Sequence, residues 1–82
     1  MRLRFNIETN NDFFDLEHWY DLPVIPRIGE EVFMDELLYG SESQKARELL
    51  IKGVEGSGEI DRIYLGKDEN GFYYTVNIKI RY

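Results

Sequence analysis

The sequence predicts a mainly β fold: a small barrel or curled antiparallel sheet of about five strands, with one short helix between the third and fourth. Three observations carry this. Residues 2–8 and 72–82 alternate apolar and polar side chains with a period of two, the pattern of half-buried strands. Lys67-Asp68-Glu69-Asn70-Gly71 has the composition of a tight hairpin turn. Leu22 to Val32, reading LPVIPRIGEEV, sets two prolines around a short apolar run and then a glycine, the chemistry of a corner between strands. Residues 1–82 read as a single domain. A chain of this size buries roughly 60% of the surface it exposes when unfolded, so it has one modest core.

The first strand, RLRFNIE, turns Leu3, Phe5 and Ile7 to one side and Arg2, Arg4 and Asn6 to the other. Thr9-Asn10-Asn11-Asp12 is a polar turn cluster, which makes Phe13 to Tyr20 the second arm of a hairpin. Alternation there puts Phe14, Leu16, His18 and Tyr20 on one face and Phe13, Asp15, Glu17 and Trp19 on the other. After the proline corner, Glu31 to Leu38 reads as a short strand. SESQKARELLIKG is the helix. Ser41 with Gln44 fits a capping box, Ala46, Leu49 and Leu50 form the apolar stripe, and Gly53 can close the last turn. At about three turns it is too short to stand alone and must dock on the sheet.

The final hairpin is the most strongly specified element. Glu59 to Gly66 and Phe72 to Tyr82 flank the turn, with Gly71 where a type I turn plus bulge needs a left-handed residue. Phe72, Tyr74, Val76, Ile78, Ile80 and Tyr82 share one face; Tyr73, Thr75, Asn77, Lys79 and Arg81 share the other. A slip of one residue would exchange those faces, so the register is fixed.

Leu22, Pro23, Pro26, Arg27, Ile28, Gly29, Glu30, Glu31 and Val32, with the separated hairpin from Glu59 to Tyr82, resemble the SH3-like small-barrel pattern, in which a P-x-x-G-D/E-x-V corner opens a strand. They are also similar to uncharacterised small bacterial proteins with an LPxIPRIGEE-type opening. The resemblance covers less than half the chain and brings no catalytic residue with it. It implies binding, of peptides, nucleic acids or further copies of the domain.

Charge is unevenly spread in a chain of net −6. Residues 1–7 carry two arginines and no acid, residues 8–48 carry 11 acids and 3 bases, and residues 49–82 carry 5 of each. The acidic middle repels phosphate backbones, which disfavours nucleic acid as a partner. There is no cysteine, hence neither a disulfide nor a thiolate metal site, in keeping with a reducing compartment. No secretory signal is visible after Met1, and no apolar run approaches the ~20 residues of a membrane helix. The expectation is a cytoplasmic protein that does not engage membranes.

Catalysis needs a positioned acid, base or nucleophile. His18 is the single histidine, and on a strand Glu17 and His18 point to opposite faces, so no metal or cofactor is expected. Glu30-Glu31 and Asp35-Glu36 are adjacent and cannot act as a separated acid and base. Asp68-Glu69-Asn70 is turn chemistry, and Gly56-Ser57-Gly58 lacks the lysine of a phosphate loop. The expectation is a protein that is not an enzyme but a binding module, its partner another protein or a second copy forming a homodimer. Trp19, Tyr73, Phe33 and Arg27 are the residues expected to meet that partner. The alternative is a nucleic-acid-binding barrel that uses Arg62, Tyr73, Lys79 and Arg81 on the outer face of the last hairpin.

Overall fold

A computed structural model describes residues 1–10, 12–38, 43–51 and 57–80. The elements run β1 (Arg2–Glu8), β2 (Phe13–Asp15), β3 (Tyr20–Asp21), β4 (Glu31–Phe33), α1 (Met34–Leu38), α2 (Gln44–Ile51), β5 (Ser57–Asp68) and β6 (Gly71–Lys79). The six strands make one curled, mixed sheet in the order β2-β1-β6-β5-β4, with β3 continuing beside β1. The fold is thus mainly β, a curled half-barrel.

The β5–β6 hairpin forms as its pattern demands. Asp68 pairs with Gly71, Gly71 takes φ +108°, and the Asn70 N–H donates to Asp68 Oδ1 at 2.9 Å. Val76, Ile78 and Ile80 face the core and Tyr74 lies half-buried, while Phe72 is exposed because the hairpin runs on past the core. Tyr82 and Arg81 lie outside the described residues.

Two departures from the expected antiparallel sheet arise from facts that alternation does not encode. β1 lies parallel to β6, Leu3 beside Tyr74 through Glu8 beside Lys79. Alternation settles which side chains share a face and is silent on which strand lies alongside. The Glu31–Leu38 segment leaves the sheet after Phe33 and becomes α1, because Met34 and Leu38, one helical turn apart, are both fully buried under the sheet. A continued strand would have put Glu36 on the face of Met34 and Leu38 and turned Leu37 to the other, whereas the helix gathers Met34, Leu37 and Leu38 on one side.

In α2 the Ser43 side chain caps the helix, its Oγ accepting from the Ala46 N–H at 3.4 Å. Ser41 of the expected capping box, like Gly53 at the far end, lies outside the described residues. Gln44 instead reaches forward to Glu48 Oε1 at 3.3 Å. Ala46 and Leu49 are buried with Leu3, Phe5, Ile7, Leu16, Ile60 and the β6 apolar face in one cluster. No helix among the described residues is long and apolar enough to cross a membrane.

The proline corner is fastened to β5. The Glu30 N–H donates to the Arg27 carbonyl at 3.1 Å with Gly29 at φ +95° between them, and the Gly29 N–H and Ile60 N–H close bonds of 2.7 and 3.0 Å with Ile60 and Glu30 carbonyls.

Candidate functional site

The outer face of the sheet gathers aromatic and cationic side chains where β3, β1 and β6 meet. The arrangement depends on an irregularity between β2 and β3. Asn6 pairs with Asp15 and Leu3 with Tyr20, so three steps along β1 are matched by five along its neighbour. The two additional residues form a bulge after Leu16, whose N–H still bonds the Phe5 carbonyl at 2.9 Å. Had the β2 register continued, Glu17 would stand opposite Arg4. The bulge advances the chain so that Trp19 takes that place, on the outer face. It also expels His18, expected on the apolar face: the imidazole is exposed, with Nε2 at 3.4 Å from Glu17 Oε1.

Trp19 remains 44% exposed, its ring edge-on to Tyr73 at 5.4 Å between centroids. The Arg2 guanidinium lies 4.8 Å from the centre of the Trp19 ring and 5.5 Å from that of Tyr73, and Arg4 lies 5.4 and 5.6 Å from the same two. Each arginine is oriented by further bonds. Arg2 donates to Asp68 Oδ1 at 2.6 Å and to the Gly71 carbonyl at 3.2 Å; Arg4 donates to Thr75 Oγ1 at 3.5 Å and sits 3.9 Å from Asp15. Tyr73 lies flat because its partner across the hairpin is Gly66, where a Cβ would come within 2.4 Å of the Tyr73 ring.

The Arg2 hydrogen bond holds the Asp68 carboxyl below the usual aspartate range. A carboxylate whose folded value is lowered contributes stability that is present above its unfolded value and lost as pH falls through the folded one. Trp19 is the only tryptophan, so it reports on this. Acidification below about pH 4 is expected to shift Trp19 emission as Arg2 is released. The Asp68→Asn protein should show the shifted emission already at pH 7, and an identical titration in both proteins would contradict the coupling.

Next to this cluster the outer face is polar and buried. Asn77, 1% exposed, donates from Nδ2 to Asp61 Oδ1 at 2.6 Å and to Glu8 Oε1 at 3.3 Å. Asn6, its neighbour in the parallel pair, is also buried, and Oδ1 of each has no hydrogen-bond partner among the described residues. Lys79 lies 3.6 Å from Glu8, and Arg62 donates to the Tyr64 hydroxyl at 3.3 Å. Of the residues named for nucleic acid, Tyr73 belongs to the aromatic cluster, Arg62 and Lys79 lie beside other side chains of the same face, and Arg81 is outside the described residues.

Among the residues expected to meet a partner, Trp19 and Tyr73 are brought together. Phe33 is 72% exposed at the β4 edge, lining with Tyr20, Val32 and Leu37 a groove at the open seam of the half-barrel. Arg27 belongs to the proline corner. Arg2 and Arg4 are site residues the sequence reading missed, although alternation had placed both on the outer face. Among the described residues no group of three or more His, Cys, Asp and Glu side chains is assembled as for a metal ion. No family model, curated protein or solved structure matches the chain.

Proposed function

We propose that the protein is a non-catalytic binding module that contacts another protein, or a second copy of itself, through the outer face centred on Trp19 and Tyr73. The observation that carries the proposal is a tryptophan left nearly half exposed yet held by a tyrosine edge and two guanidinium groups. Tryptophan, tyrosine and arginine dominate the energetics of protein interfaces. A side chain already fixed in one orientation loses little conformational freedom on binding, which removes about 0.5–1.5 kcal/mol of opposition per rotamer-rich group.

The test compares the parent chain with Trp19→Ala/Tyr73→Ala and with Gly66→Val, which displaces the Tyr73 ring and keeps it in the chain. Circular dichroism establishes that each variant is folded. Affinity capture from the native host and sedimentation velocity then read partner binding and self-association. Both variants are expected to lose the specific partner, or the dimer, that the parent forms. If folded variants retain every specific partner and the same oligomeric state, this face is not the contact.

A further inference from the structure

We propose that the proline corner is a second binding site, a groove that takes the free C-terminus of a peptide ending in an apolar residue. The groove, about 470 Å³, is lined by the apolar run Leu22 to Pro26 together with Arg27 and Glu30. That volume lies within the range of about 300–1,000 Å³ typical of small-ligand sites. Its wall is pre-formed. Two prolines fix their φ angles, a hydrogen-bonded turn joins Arg27 to Glu30, and two backbone bonds fasten that turn to β5. Val24 nevertheless stands 69% exposed at the lip, an apolar side chain that the core does not use.

The charges decide the occupant. Arg2, Arg4, Lys45 and Lys79 each face a carboxylate, Arg62 bonds Tyr64, and Lys67 lies over the Phe72 ring. Arg27 is exposed and, among the described residues, has neither acid nor ring as a partner, in a chain of net charge −6. A guanidinium set beside an apolar groove complements a carboxylate attached to an apolar group, and its planar fork suits a bidentate pair. Glu30, in the same lining, is an acceptor for N–H groups. A peptide terminus supplies all three features: α-carboxylate, apolar side chain and backbone N–H. A fatty acid offers no donor to Glu30. Capture of a terminal carboxylate is a recurring mode of peptide recognition. The site is independent of the Trp19 face.

The experiment is a ¹⁵N-resolved titration of the full chain with N-acetyl-Gly-Ser-Gly-Ala-Leu-Val bearing a free α-carboxylate. The same peptide as its C-terminal amide, and octanoate, serve as the other two arms. The free-acid peptide is expected to move the amides of Val24, Ile25, Arg27 and Glu30. Amidation and Arg27→Ala should each weaken it about tenfold, with Arg27→Lys in between. Trp19→Ala should leave the affinity unchanged, which separates this site from the proposed function. Equal binding of acid and amide, equal or tighter binding of octanoate, or no shifts at millimolar peptide would each overturn the proposal.

Discussion

Replacing Ile78 by alanine is expected to destabilise the protein by about 2–5 kcal/mol, the cost of a cavity at a site that cannot collapse. A domain of this kind has roughly 5–15 kcal/mol in all. Ile78 is fully buried and lies between Ile7 on the parallel side and Ile60 on the antiparallel side. Its Cγ2 also fills the space above Gly58, where a Cβ would meet it at 2.3 Å and the Met34 sulfur at 3.0 Å. Gly58→Ala alone should therefore destabilise by about 1–3 kcal/mol through overpacking. In the Ile78→Ala background the clash with Cγ2 is gone, the added methyl fills part of the cavity, and the adaptable Met34 side chain can yield. The same Gly58→Ala change should then be neutral or stabilising. Urea unfolding of the two single variants and the double variant measures this coupling. Additive effects would mean that Ile78 does not occupy the space over Gly58.

The second large effect concerns Asn77. Changing it to aspartate keeps the shape but sets a third carboxylate against Asp61 and Glu8, both of which accept a hydrogen bond from the Asn77 amide. At pH 7 an uncompensated buried charge of this kind is expected to remove about 3–5 kcal/mol of stability. The sign with pH is set by linkage. Burial and the two neighbouring acids raise the folded value of the new carboxyl above its unfolded one. The penalty is then absent below the unfolded value, grows as pH rises toward the folded one, and is constant above it. The variant should regain ground on the parent as pH falls toward about 4. A stability difference that is flat with pH, or under about 1 kcal/mol, would show that Asn77 is not a neutral link between two acids.

Local chemistry was legible wherever it was sufficient. The turn at Gly71, the faces of β1 and β6 and the position of α2 follow from period and turn residues alone. The parallel union of β1 with β6 was not, since Leu3 and Tyr74 would alternate in the same way beside any neighbour. The two-residue bulge was equally hidden, because an even insertion preserves alternation: Trp19 keeps its face while its opposite number changes. That is why Trp19 and Tyr73 could be named as surface aromatics, whereas Arg2 and Arg4 were seen only as charge. Their role appears once β1 is known to lie between the two rings. Thr75 and Asn77 were assigned to the outer face correctly, yet they are buried, because a curled sheet covers the middle of its outer surface with long neighbouring side chains.

The β1–β6 pairing also bears on how the chain reaches this state. Arg4 and Thr75, neighbours across that seam, are 71 positions apart in sequence. The β5–β6 hairpin closes over a two-residue turn and can assemble early, whereas β1 gains its central partner only after the chain has brought distant segments together. Contacts of such long separation slow folding, because loop entropy is lost before any pairing offsets it. Until then the edge of β6 that β1 will cover is open, with Val76 and Ile78 beside it, and invites pairing with a neighbouring chain. Refolding yield should therefore be more sensitive to protein concentration than the stability of the finished half-barrel would imply.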